Sequence, residues 1–382
     1  MIDAHAALSG LNSPRPEPAS LSTPAVSHHA LSFTGQAGEY FRVWIVNVAL
    51  TLVSLGLYMP WARVRTRQYM YGHTWLDGQN FEYRANPWAL LRGYLLVSGL
   101  AVLYSLALRS ENTVFIVLGL VLLLVYAGFY PWLVRQSLRF QAVNTVHRGL
   151  RFSFQGSVGE AYVAYGAANV VSGLFGLALP WAWFMQRQYQ VNNLAYGTAR
   201  ARFRGDVAPF FMIGLTGVGL VIGGGLVALL LVAIVGTLVA GLGNWGDISD
   251  LFEADTPPAA FFVAAGAIYL GALLLYAVAW QYVRAAVMAY VLNNAELGGV
   301  VRTGATFSPW RLVWIGVTNT AAQILTLGLA TPWATIRRTR YVLEGIGVRS
   351  LVPLDTFTGQ AAHEESALGE AASELLDIQV GF

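Results

Sequence analysis

Seven apolar stretches punctuate the chain, at about residues 41–59, 88–108, 113–133, 161–180, 209–241, 259–280 and 310–331. At 1.5 Å rise per residue each is long enough to be a candidate membrane span. The polar segments between them follow a different period. Trp75-Leu-Asp77-Gly78-Gln-Asn-Phe81-Glu-Tyr83 places a D-G turn ahead of alternating aromatics, and His147-Arg-Gly149-Leu-Arg-Phe152-Ser-Phe154 has the same form. Tyr196 to Phe203 and Leu297 to Arg302 are weaker versions. Each polar segment therefore predicts a helix followed by a small β-hairpin. Isolated hairpins are marginal in water, so several are expected to pair into a sheet beneath the membrane.

The apolar stretches are not independent of one another. The pattern [LF]-G-L-x-x-P-W-A closes three of them, at Leu55 to Ala62, Phe175 to Ala182 and Leu327 to Ala334. Such recurrence at long spacing marks an internal repeat. A strand-like lead precedes the motif: Phe33-Thr-Gly-Gln-Ala-Gly-Glu39-Tyr40 matches Phe154-Gln-Gly-Ser-Val-Gly-Glu160-Ala-Tyr162, while the third copy near Phe307 keeps the aromatic and lacks the acid. The organisation expected is a flexible, proline-rich lead over 1–30, one membrane repeat over 31–151, a second over 152–300, a half repeat over 301–360, and an acidic tail over 361–382.

Composition fixes the solvent. With 56% hydrophobic and only 11% charged residues, the chain is expected to be a predominantly α-helical, polytopic membrane protein rather than a large soluble core. All 23 basic residues are arginine, and their placement decides between topologies. Seven strict crossings would put the basic segment after Pro180 outside and the acidic loop from Gly243 to Asp255 inside, which inverts the positive-inside bias. If the three P-W-A segments are re-entrant or interfacial, only the four other stretches span. All basic segments then share the cytoplasmic side, and the Arg109-Ser-Glu-Asn112 and acidic loops share the other. Four spanning helices are thus favoured, with seven as the alternative.

The candidate residues follow from that arrangement. Trp61, Trp132, Trp181 and Trp333 suit the headgroup level, beside Pro60, Pro131, Pro180 and Pro332, which are expected to end or bend their helices. Arg63, Arg65, Arg67, Arg187, Arg337 and Arg338 follow within a turn or two, where guanidinium groups meet anionic lipid. Asn47, Asn169 and Asn319 take matching places in the P-W-A segments; an amide there needs partners, either one another at a shared polar centre or neighbouring backbone. Glu39 and Glu160 are placed to complement helix N-termini. Arg42, Arg92 and Arg311 read as snorkelling side chains. His28 and His29 fall in the lead, and no H-E-x-x-H, G-x-S-x-G or P-loop pattern occurs. No catalytic, metal or cofactor site is assigned, and the chain contains no cysteine.

The repeated G-L-x-x-P-W-A, the F-x-G lead and the run P-W-A-R-x-R-x-R-Q-Y from Pro60 to Tyr69 resemble the YjgN-like family of bacterial inner-membrane proteins over about 31–360. The resemblance implies a multi-pass inner-membrane location and carries no activity, substrate or cofactor. The function expected is a non-enzymatic, arginine-rich cytoplasmic-face platform that meets the phospholipid membrane or a membrane protein partner, with no nucleic acid involved. A channel or transporter with a polar site formed by broken repeat segments is the alternative.

Overall fold

The computed structural model describes residues 27–242 and 259–353; the lead before Ser27, the acidic loop and the acidic tail lie outside them. The turn chemistry read in the sequence forms tight hairpins. Asp77 and Gly78 (φ 50° and 75°) and Arg148 and Gly149 (φ 51° and 78°) are both left-handed, the type I′ geometry that matches strand twist. They join β2 (Thr74–Leu76) to β3 (Gln79–Tyr83) and β4 (Thr145–His147) to β5 (Leu150–Phe154). Two more hairpins follow, β6 (Leu194–Tyr196) with β7 (Ala199–Phe203) and β8 (Ala295–Leu297) with β9 (Val301–Ala305).

These hairpins do pair with one another, but into a closed barrel rather than the sheet of several hairpins expected beneath the membrane. They pair edge to edge, and β1 (Ser27–Phe33) and β10 (Ile346–Ser350) seal the ring into a closed ten-stranded barrel. β1 bridges two neighbours: Ser27 to Ala30 pair with Ser350 to Gly347, and Leu31 to Phe33 pair with Leu76 to Thr74. Closure satisfies every edge that short hairpins would leave open. Residues 27–30 are accordingly strand rather than flexible lead, and His28 and His29 belong to the barrel wall. Leu150, Tyr196, Val301 and Val348 cluster with Leu31, Leu76 and Leu297 and fill the interior.

β1, β3, β5, β7 and β9 each lead into a helix pair that returns to the next strand. The pairs are α1 (Ala37–Val53) and α2 (Met59–Gly72); α3 (Pro87–Arg109) and α4 (Thr113–Val143); α5 (Val158–Ala161), a π-helical stretch and α6 (Ala168–Leu174) with α7 (Leu179–Asn192); α8 (Ala208–Leu242) and α9 (Ala259–Asn293); and α10 (Pro309–Leu325) and α11 (Thr331–Glu344). They pack in chain order, and α11 closes back on α1. Because every pair begins and ends at one barrel, all the basic segments lie on one face of the molecule.

Among the described residues four helical segments, not seven, are long and apolar enough to cross a membrane: Pro87–Arg109, Thr113–Val143, Ala208–Ile234 and Ala265–Asn293. The other three pairs turn back early. In two of them consecutive left-handed residues reverse the chain, Leu55 and Gly56 (φ 50° and 92°) and Leu327 and Gly328 (φ 50° and 90°); in the third, Gly176–Ala178 is a 3-10 turn. Pro60, Pro180 and Pro332 then occupy the first turn of the returning helix, where a missing N–H costs nothing. They begin helices instead of ending them, and of the four prolines only Pro131 sits inside one.

Candidate functional site

The four prolines stand at one register, the same number of residues ahead of the strands beginning at Thr74, Thr145, Leu194 and Ile346. They therefore sit at a common height above the barrel, and all are buried. Gly214 of the following pair lies so close to Pro180 that a Cβ would come within 2.8 Å of it. Beyond that height α4 continues from Tyr130 to Thr113, about 27 Å at helical rise and close to the ~30 Å of a bilayer core. The three short pairs reach only a turn or two past it. Their tips are bare: Leu55, Leu177 and Leu327 are 94%, 90% and 95% exposed. A leucine so placed has no protein cover and suits hydrocarbon.

The tryptophans share the proline level. Trp61 stacks on Tyr58 and meets Trp88 edge-on at 4.9 Å, Trp132 meets Phe129, Trp181 is half-buried, and Trp333 lies under the Arg337 guanidinium at 5.1 Å. Below them Arg63, Arg65, Arg187 and Arg338 are exposed, while Arg67 donates to the Tyr83 hydroxyl at 2.9 Å and Arg187 to the Gln190 side chain at 2.6 Å. None of these arginines, nor Arg337, forms an ion pair among the described residues. Arg187 and Arg338 are open to water, yet enough protein surrounds them that desolvation lowers both pKa values, and each also feels the charge of Arg284. Uncompensated guanidinium groups in that setting attract anions.

No hydrogen bond joins Asn47, Asn169 and Asn319 to one another. Each ties the first helix of its pair to the second. Asn319 donates to the Ala334 carbonyl at 2.9 Å and accepts from Arg337 at 3.0 Å. Asn169 accepts from Gln186 at 2.9 Å. Asn47 donates to the Ala62 carbonyl at 3.4 Å, and its Oδ1 has no partner although the residue is 5% exposed. Glu39 and Glu160 occupy first helical turns, but their carboxylates accept from the far end of the partner helix, from the Tyr69 hydroxyl and from Asn193. Arg42, Arg92 and Arg311 are exposed near the basic ends, and Arg311 lies over the Tyr341 ring at 5.7 Å.

Sequence reading missed a set of tyrosine anchors. The Tyr69, Tyr189, Tyr290 and Tyr341 hydroxyls each bond the backbone just before the first helix of their own pair, at Gln36, Ser157, Asp206 and Ser308. In three pairs the anchor closes over an aromatic-x-Gly lead: a Cβ on Gly35, Gly156 or Gly205 would fall 2.5, 2.7 or 2.5 Å from the ring of Phe33, Phe154 or Phe203. For Tyr69, Tyr189 and Tyr341 the fixed offset after Pro60, Pro180 and Pro332 was the available signal; Tyr290 has no such proline ahead of it. The barrel's own polar groups also escaped notice: Arg148 pairs with Asp77 at 2.6 Å, His29 with Asp77 at 3.1 Å, and buried Glu296 with Arg204 at 2.6 Å. Inside, burial lowers the pKa of His147 and pushes the Tyr196 phenol up to about 12, so that its hydroxyl stays protonated and donates to the His147 carbonyl. No three His, Asp or Glu side chains among the described residues group as a metal site would require.

Comparison with known proteins places this architecture. Inner membrane protein YjgN of Salmonella typhimurium is 36% identical over 135 residues, covering 35% of this chain and 33% of that protein. Inner membrane protein YjgN of Escherichia coli K12 is 33% identical over the same length. The match thus spans about a third of the length of these curated relatives, and no solved structure matches. Four apolar helices and relatives so named make the chain a multi-pass protein of the bacterial inner membrane. The family described as "Bacterial protein of unknown function (DUF898)" matches residues 28–375, and the chain belongs to that family.

Proposed function

We propose that this protein is a non-enzymatic membrane platform whose arginine-rich, barrel-bearing face lies on the cytoplasmic side and engages anionic lipid, with a membrane protein partner as the second class of ligand. Four helices span, and the three P-W-A pairs rest in the interface with their leucine tips in the inner leaflet. The segments 31–151, 152–300 and 301–360 are two repeats and a half, each full repeat joining one interfacial pair to one spanning pair. The observation that carries the reading is the set of arginines without ion pairs just below the proline and tryptophan level. A guanidinium there gains roughly 1 kcal/mol from an anionic headgroup, and the tryptophans anchor the same plane.

Two measurements test it. In this cysteine-free chain, Ser157→Cys is expected to react with an impermeant maleimide from the cytoplasm, and Glu111→Cys from the opposite side. Reaction of position 157 from outside would refute the topology. For lipid, the detergent-solubilised full chain is expected to gain thermal stability from phosphatidylmethanol, an anion, and not from phosphatidylcholine; equal responses would refute the anionic preference.

A further inference from the structure

The three short helix pairs each carry an asparagine at a matching place, and two of the three amides accept a hydrogen bond. The Asn319 Oδ1 accepts from Arg337 and the Asn169 Oδ1 from Gln186. Counted from the prolines, Arg65 takes the register of Arg337, but its guanidinium reaches toward the Tyr58 hydroxyl at 3.5 Å. Thr66 takes the register of Gln186 with a shorter side chain. The Asn47 Oδ1 is left without a donor, and Asn47 lines a cavity of about 420 Å³ between α1 and α2. An orphaned, 95% buried acceptor is rare in folded proteins and points to a group not yet present.

The rest of that cavity says what the group is. Arg63 lines it, is exposed, and has no hydrogen bond or ion pair among the described residues. The remaining walls are mostly apolar, with Trp44, Val48, Leu52 and Met59. The site stands one helical turn from Pro60, at the tryptophan level, where headgroups lie. We infer that the α1–α2 cavity binds one phospholipid of the hydroxyl-bearing anionic class, its phosphodiester on Arg63, a headgroup hydroxyl donating to the Asn47 Oδ1, and an acyl chain along the apolar wall. An ammonium headgroup would also offer a donor, but it would meet the positive charges of Arg63 and Arg67, which line the same cavity. A neutral hydroxyl meets no such repulsion. The inference rests on the anionic-lipid reading above and narrows it to one lipid class at one place.

The test titrates the detergent-solubilised full chain with phosphatidylglycerol, phosphatidylmethanol, phosphatidylcholine and water-soluble glycerol phosphate, reading lipid-dependent thermal stability. Phosphatidylmethanol has the same phosphodiester charge and no hydroxyl. Wild type is expected to respond to phosphatidylglycerol at about fivefold lower concentration than to phosphatidylmethanol, the worth of one hydrogen bond. Asn47→Leu is expected to erase that preference and keep the response to both anions, whereas Arg63→Gln weakens both anions together. Equal wild-type responses to the two anionic lipids overturn the inference while leaving the anionic preference standing, and this comparison needs no variant. Indifference to charge as well overturns both. Glycerol phosphate competing as well as phosphatidylglycerol would overturn the assignment to a lipid and favour a soluble phosphoglycerol ligand.

Discussion

Asn47 and Asn319 occupy matching positions, yet replacing each with leucine should give very different results. Leucine shares asparagine's branched side-chain skeleton but is bulkier, so the change removes the amide and tests how much room the site has. At position 319 it breaks the 2.9 Å bond to the Ala334 carbonyl and the 3.0 Å bond from Arg337, at a residue 6% exposed. Two net hydrogen bonds are worth about 1 kcal/mol each; Arg337 keeps its 2.8 Å bond to the Thr318 hydroxyl, but the bulkier leucine adds about 1–3 kcal/mol of overpacking at this buried site. Burying leucine carbon returns roughly 1–2 kcal/mol, leaving Asn319→Leu destabilised by about 1–4 kcal/mol. At position 47 the only bond lost is the long 3.4 Å contact to Ala62, and an unpartnered acceptor disappears with it. Removing that orphan offsets the lost bond, so without added lipid Asn47→Leu should fall within about 1 kcal/mol of wild type or slightly above it. Thermal or denaturant unfolding of both variants in one detergent, delipidated alike, reads the difference. Equal losses, or a larger loss at position 47, would refute the account of the two amides.

Other consequences follow from the barrel and its anchors. Gly205→Ala drives a Cβ to within 2.5 Å of the Phe203 ring and 2.9 Å of Tyr290, so it should cost about 1–3 kcal/mol; Gly219→Ala, with nothing within 4 Å, should be neutral or stabilising. Asp77→Asn keeps a residue type that tolerates the left-handed turn and removes the charge facing Arg148, whose side chain is 8% exposed. With Asp77 itself about a third exposed, a loss of about 1–2 kcal/mol is expected on unfolding. His147 is held below its ordinary pKa of 6.5 by burial, so the unfolded chain binds its proton first. Stability tied to this group is complete above pH 6.5 and declines as pH falls toward the folded pKa. Melting between pH 5 and 8 should show that slope, and His147→Gln should flatten it; an unchanged slope would count against His147 as its source.

What could be read along the chain was local or statistical. Turn residues at Asp77-Gly78 and Arg148-Gly149 declared hairpins because left-handed backbone favours few residue types. Arginine placement separated four spans from seven, since charge bias acts on each loop independently of the fold. The repeated motif pointed to the family by the same kind of local pattern. Three things waited for the tertiary structure. Closure of the barrel pairs Ser27 with Ser350, a contact between strands more than three hundred residues apart that no local periodicity encodes. The prolines look like helix ends in sequence because they follow an apolar run. Only the left-handed reversals at Leu55-Gly56 and Leu327-Gly328 show that they start the way back. The three asparagines are interchangeable as letters, and their differing fates depend on which way Arg65, Gln186 and Arg337 point. Side-chain direction at a helix interface is settled by packing across it, which is why the orphaned acceptor at Asn47 was invisible until the pairs were assembled.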